Sequence, residues 1–339
     1  MAGSEAGHGK YGTRNKRSAG AFPTAPALER VLNFVSPTLA RVACILNSDA
    51  HSSAALGLRQ SVQSLFDKHG AAAEVHLCRP GASLSSLASD AVRRGHTIIV
   101  AAGGDGTINA VASALIGSGA ALGVLPVGTL NHFAKDLGLP LDLEEAVKTI
   151  LRGHVVRVDV GEVNGHIFLN NSSIGLYPAL VREREKTQKR GYKKWTAFAR
   201  ALYYVMRRYS LLHVRLRFEG VEIAEDTPFV FIGNNEYEVR GLNLGARTRL
   251  DSGKLSVYRA PNVGRMGLLT LALGALAGTE DLKELEKSDT EVLRISVGKR
   301  HLRVATDGEV MKLTGPLLYR ISKQALKVIG PSPEPEPAA

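Results

Sequence analysis

The chain is poor in cysteine and tryptophan, with two of the first and one of the second in 339 residues. Cys44 and Cys78 cannot build a disulfide framework, and both lie in apolar, strand-like runs, which fits a reducing compartment. Long apolar runs are also missing. The most apolar stretch, residues 267–278, is too short to cross a bilayer, and the N-terminus lacks the apolar segment of a secretory signal. Ala2 follows the initiator Met, where myristoylation needs glycine. The expected location is therefore cytoplasmic, with any membrane contact peripheral. There is no Gly-Lys-Ser/Thr phosphate loop, no G-x-G-x-x-G fingerprint and no internal repeat. Aromatic residues are scarce, at 6%, and nothing resembles a nucleic-acid module, so nucleic acid is not an expected partner.

What is present is a soluble globular composition, 44% apolar and 22% charged, long enough for two domains. Acids are outnumbered, 32 against 43 basic residues, and the net charge of +11 favours anionic partners. Residues 1–37 read as a disordered arm with Lys10, Arg14, Lys16 and Arg17 clustered, and the Pro/Glu-rich stretch 331–339 as a disordered tail. Between them, β-like runs at 41–47, 74–78, 97–102 and 122–126 alternate with helical patterns at 54–69, 84–94, 108–116 and 143–151. This alternation predicts a parallel sheet with helices on its faces, and ligands beyond the carboxyl ends of its strands. After about residue 158 short β-like runs dominate, as in an antiparallel sandwich or barrel. A helix carrying Trp195, Phe198, Leu202, Val205, Met206 and Tyr209 on one face interrupts them. Just upstream, residues 182–194 hold seven basic and two acidic side chains, either a solvated face or a lip for anionic lipid headgroups.

The strongest single signal is Gly103-Gly104-Asp105-Gly106-Thr107, between a β-branched run and a helix. Glycines let backbone N–H groups approach phosphate oxygens, and a helix N-terminus adds partial positive charge. A plain connecting turn explains one or two glycines but explains three around an acid poorly. An acid beside phosphate is repulsive unless a metal or a proton transfer justifies it, so Asp105 is a candidate for orienting Mg²⁺. Val127-Gly128-Thr129 ends the next strand and is suited to line the same cleft.

Gly103 to Thr107 resembles the nucleotide motif of the diacylglycerol kinase catalytic family, shared with sphingosine and NAD kinases. Leu125 to Ala134 with Leu137-Gly138-Leu139-Pro140 is similar to that family's second motif. Asn170 to Leu176, Leu250 to Leu255 and Thr306-Asp307-Gly308-Glu309 resemble its later signatures, so the likeness spans roughly residues 41–330. The resemblance implies a Rossmann-like nucleotide-binding α/β domain at 38–157 and an antiparallel β-sandwich lipid-substrate domain at 158–316. Residues 317–330 would return to the first domain. It implies transfer of the γ-phosphate of ATP, with Mg²⁺, to the hydroxyl of diacylglycerol or a similar lipid. Gly103, Gly104, Asp105, Gly106, Thr107, Ile108, Asn109, Gly128 and Thr129 would bind nucleotide. Glu309 would be the general base, with Asp105 also catalytic. From the residues alone, the favoured reading is that Asp307-Gly308 is a hairpin turn and Glu309 an exposed strand residue, a preference that the resemblance reverses. A homodimer is admitted. Three positions depart from the family pattern. His132 stands where many relatives carry Asp. Ser252 replaces the second Asp of an Asp-Asp-Gly, so no structural ion is expected at Asp251. Cys78 lies near the place of a nucleotide-contacting Thr. NAD kinase chemistry, or a catalytically weak nucleotide- or lipid-binding module, are the alternatives.

Overall fold

The computed structural model describes residues 41–47, 53–79, 81–176, 203, 211–240, 243–247, 249–260, 264 and 285–332. The basic arm, the stretch 182–194, nearly all of the helix expected at 195–209, the apolar stretch 267–278 and most of the tail lie outside the described residues.

The first part of the chain alternates as its apolar pattern dictates. Strands β1 (Val42–Leu46), β2 (Ala73–Leu77), β3 (Ile98–Gly103) and β4 (Ala121–Pro126) are parallel, in the order β2-β1-β3-β4. Helices α1 (Ser53–Lys68), α2 (Leu84–Arg93), α3 (Asp105–Leu115), α4 (His132–Asp136) and α5 (Leu143–Arg152) connect and cover them. Every residue of β1, β3 and β4 is buried, because helices lie on both faces. Ala43, Ile45, Ile99 and Ala101 face α2 and α3, while Val42, Cys44, Leu46 and Val100 join the core under α1 and α5. Side-chain caps fix two helix starts, with Ser83 accepting from the amide of Ser86 and Asp142 from that of Glu145. Helix α3 begins at Asp105, three residues before the start that its apolar spacing marks. The glycine turn is therefore the first turn of the helix rather than a loop ahead of it.

Strand β5 (His154–Val163) leads into β6 (His166–Phe168) and β7 (Asn171–Gly175). Strands β8 (Leu212–Phe218), β9 (Val221–Thr227), β10 (Phe229–Asn234), β11 (Tyr237–Arg240), β12 (Asn243–Arg247) and β13 (Leu255–Arg259) follow. The chain then forms β14 (Glu286–Thr290), β15 (Val292–Val297), β16 (His301–Thr306), β17 (Glu309–Thr314) and β18 (Leu317–Gly330). One sheet of six strands runs β14-β13-β10-β7-β16-β17. Strands β11 and β12 pair only with each other, and the remaining strands extend the parallel sheet, since β18 pairs with β4 through Val328 and Leu122 and with β15 through residues 317–320. Beyond β15 lie β8 and β9, and β5 runs antiparallel to β18 over most of its length. Only the second half of 317–330 meets the parallel strands. Its first half places Leu317 and Tyr319 in the core between the two sheets, beside Phe168, Ile174, Val230 and Ile295. The fold is thus mixed α/β with two principal sheets, one of them continuous from the parallel strands into the antiparallel part.

Candidate functional site

Strands β3 and β4 end side by side, with Gly103 opposite Pro126. The two glycine turns that follow are in backbone contact. A Cβ on Gly128 would lie 2.9 Å from the Gly104 nitrogen and 2.8 Å from Asn131 Oδ1. A Cβ on Gly103 would collide with the Thr107 side chain. Thr107 is buried, and its hydroxyl accepts from Asn47 Nδ2 at the end of β1, 2.9 Å away. These glycines are required by the close approach of two turns and by the packing of Thr107. The first-turn amides of α3 have no partner four residues back, so they present N–H groups at the strand ends.

Asp105 has a job that the sequence does not reveal. Its Oδ2 accepts from the amide of His132 (3.2 Å) and its Oδ1 from that of Phe133 (3.1 Å), so it caps the start of α4. The acid inside the glycine motif therefore joins the first motif to the second, which supplies a reason for its charge besides a metal or a proton. Asn131, in the left-handed region at φ 51°, donates through Nδ2 to the carbonyls of Pro126 (2.9 Å) and Gly128 (2.8 Å). Its Oδ1 is buried and without a partner among the described residues. Thr129 is exposed at the tip of the turn, and His132 is exposed with only its amide engaged by Asp105.

Two residues expected to contact nucleotide are engaged within the protein. Ile108 is fully buried in the core, and its amide bonds the Gly104 carbonyl at 3.0 Å, so neither part of it faces the cleft. Asn109 directs its Nδ2 to Asp307 Oδ2 (2.6 Å) and to the Ile167 carbonyl (3.2 Å), which makes it a tie between α3 and the antiparallel strands.

Asp307 and Gly308 form the two-residue turn between β16 and β17, at φ 46° and 87°, with Thr306 opposite Glu309. The Asp307 carboxylate also accepts from the amides of Leu169 (2.7 Å), Asn170 (2.8 Å) and Asn171 (3.0 Å). Withdrawal from solvent raises this carboxyl above the usual aspartate range, against the four donors, which favour the ionised form. Glu309 opens β17 and is exposed, yet its Oε1 stands 2.6 Å from where a Gly106 Cβ would be. The hairpin reading and the site reading both describe it: an exposed strand residue after a tight turn, hung over the first turn of α3.

Several side chains behind this arrangement escaped the sequence reading. Arg247, whose side chain is 0% exposed, donates from Nε to Asp136 Oδ2 (2.7 Å). Its Nη1 bonds the carbonyls of Leu169 (2.5 Å) and Asn234 (3.1 Å), and its Nη2 bonds Asn170 Oδ1 (2.9 Å). It also lies 5.7 Å from the centre of the Tyr237 ring. For Asn47 a signal existed, namely its place at the carboxyl end of a buried parallel strand. For Arg247 none did, because its partners Asp136, Leu169 and Asn170 are 111, 78 and 77 residues away.

Two ion positions can be tested against these residues. At the glycine turns the oxygens of Asp105 and Thr107 are already engaged by protein donors, leaving Asn131, Thr129 and the overhanging Glu309, which suits an ion carried in by phosphates rather than caged by protein. At Asp251 the donor set does not fit a hard cation. Arg249 Nε bonds the Asp251 carboxylate at 3.0 Å, and the amide of Ser252 bonds Asn235 Oδ1 at 2.9 Å. The neighbouring Asp159 accepts from the amides of Gly253 (2.6 Å) and Gln324 (2.7 Å). No cluster of three or more His, Cys, Asp or Glu able to hold a metal occurs among the described residues.

A parallel sheet with amide-lined glycine turns, faced by an acid from an antiparallel hairpin, defines a mixed α/β protein with both motifs gathered at the strand ends. The diacylglycerol kinase catalytic domain family model matches residues 41–163. The chain is 32% identical over 256 residues to a protein of Pseudomonas aeruginosa named "Probable lipid kinase YegS-like", covering 74% of this chain and 82% of that one. It is 39% identical over 108 residues to the diacylglycerol kinase of Bacillus subtilis, covering 31% of this chain and 36% of that protein. A diacylglycerol kinase structure from Bacillus anthracis shares the fold at a TM-score of 0.65 and 19% identity, covering 86% of this chain and 96% of that one. The chain belongs to the diacylglycerol kinase catalytic-domain family.

Proposed function

We propose that this protein is an ATP-dependent lipid kinase that transfers the γ-phosphate to the hydroxyl of diacylglycerol or a similar lipid. Family membership supports the reaction class. The single observation that carries the assignment of roles is the Glu309 carboxylate, 2.6 Å from the Cβ position of Gly106 at the amide end of α3. On this reading β1 to β4 and α1 to α5 form a Rossmann-like nucleotide-binding unit, and β7 to β17 a sandwich that receives lipid. The amides of Gly104 to Thr107 and the turn at Gly128-Thr129 hold and orient the phosphates. Mg²⁺, when bound, neutralises charge across those phosphates. Asp105 holds α4 against the cradle, and Asn131 offers Oδ1 to the bound nucleotide or its ion. Glu309 takes the hydroxyl proton as the new bond to phosphorus forms, because a lipid alcohol is a poor nucleophile at neutral pH. The positive net charge and the basic stretch 182–194 support peripheral contact with anionic lipid.

Labelled ATP offered with diacylglycerol, monoacylglycerol, sphingosine and NAD in parallel tests the reading. Label is expected in a lipid and not in NAD. Label in NAD alone, or in no acceptor, contradicts it.

A further inference from the structure

The side chains around the glycine turns form a closed circuit that starts and ends on α3. Asp105 caps α4 through the amides of His132 and Phe133. At the other end of α4, Asp136 accepts from Arg247. Arg247 then grips the connection between β6 and β7 by the Leu169 carbonyl and the Asn170 side chain. The amides of that same connection, residues 169–171, converge on Asp307. Asp307 also accepts from Asn109, which returns the circuit to α3. Glu309 is two residues from Asp307 and pairs with Thr306 across the turn, so its height over Gly106 is tied to this circuit.

We propose that Arg247 is a positioning residue for phosphoryl transfer: by clamping α4 to the β6–β7 connection, it fixes the Asp307 turn and thereby holds Glu309 over the amide end of α3. This inference rests on the lipid-kinase reading for its catalytic consequence, though not for its geometry. A guanidinium suits the task because its planar fork reaches a carboxylate, two carbonyls and an amide oxygen at once. A lysine keeps the charge beside Asp136 but cannot satisfy four acceptors on two sides. The pair Asp136–Arg247 is buried, so removing the charge altogether would leave a carboxylate uncompensated and endanger the fold. Arg247→Lys is therefore the informative variant. Asp136→Glu is the companion should the lysine variant fail to fold, since it keeps the charge balance of the buried pair and displaces the carboxylate by one methylene.

The test is a double-mutant cycle with Glu309→Gln, read as kcat and as KM for ATP. Arg247→Lys is expected to lower kcat about tenfold or more in the parent while KM for ATP changes less than about threefold, because misplacing a reacting group costs rate. In the Glu309→Gln background the same substitution should cost less than about twofold, since the group that it positions is already disabled. An equal-fold loss in both backgrounds would mean that Arg247 merely supports the fold, and overturns the proposal. Hydrogen exchange on the full chain gives a second judgement that needs no activity. Arg247→Lys, or Asp136→Glu, should speed exchange at residues 169–171 and 306–309 about tenfold or more, with β1 and β3 still protected. Unchanged protection there overturns the clamp. A parent that phosphorylates no lipid contradicts the functional reading instead, and the exchange result still decides on Arg247.

Discussion

Replacing Gly106 with alanine separates stability from chemistry at the point where the two halves of the cleft meet. Gly106 lies in the first turn of α3 with ordinary helical geometry, so alanine should be tolerated by the backbone. Helix propensity favours the change by up to about 1 kcal/mol. The new methyl would sit 2.6 Å from Glu309 Oε1 and 3.5 Å from its Cδ. Ordinary contact requires the carboxylate to retreat by roughly 0.8 Å, which a flexible glutamate can do at little cost in folding. A displacement of about 1 Å at a reacting group can lower rate by about a hundredfold. Gly106→Ala should therefore melt at the parental temperature or slightly above it. Its kcat for labelled phosphate transfer, at saturating ATP and lipid, should fall about tenfold to a hundredfold. A variant with parental kcat and an intact fold would refute the reasoning, because Glu309 would then work from elsewhere or not at all.

Asp105→Asn keeps one acceptor but turns an NH₂ toward an amide at the start of α4, so unfolding free energy should drop by roughly 1–2 kcal/mol along with activity. A denaturant titration with parental midpoint would show that the cap contributes nothing. Burial pushes the Cys44 thiol up to about 12, so at pH 8 a thiol reagent should leave it unmodified until the protein unfolds. Rapid labelling of Cys44 in the native protein, located by mass spectrometry, would contradict its place in β1. Binding to anionic vesicles should weaken as salt rises, given the basic stretch 182–194, and equal cosedimentation with neutral and anionic vesicles would argue against an electrostatic contact.

The parallel strands and their helices were legible because their signals are local: apolar period, strand length and glycine placement. Strands β1 to β4 fall within a residue or so of the runs read from the sequence, since β1, β3 and β4 are buried on both faces and the edge strand β2 still buries Ala73 and Val75. The antiparallel part was legible as a series of short β-like runs but not in its pairing. Strands such as β9, with exposed Glu222, and β17, with exposed Glu309, carry too few apolar residues to stand out, and long-range pairing defines them. The same limit applied at the site. The glycine turns could be named from the sequence, but their need for glycine comes from Gly104 meeting Gly128, a contact between two strand ends. The capping role of Asp105 was not legible because its partners are the amides of residues 132 and 133, and backbone amides leave no mark in a sequence. Arg247 looked like one basic residue among 43 until the fold buried it.

The central claim is that Glu309 acts as the proton acceptor over the amide end of α3, and Glu309→Gln measures it most directly. Glutamine keeps the size and hydrogen bonding of the side chain but cannot take the proton. With labelled ATP and diacylglycerol, kcat should fall about a hundredfold or more while ATP binding stays within about twofold of the parent. Parental turnover by the glutamine variant, with the fold intact, would contradict the claim.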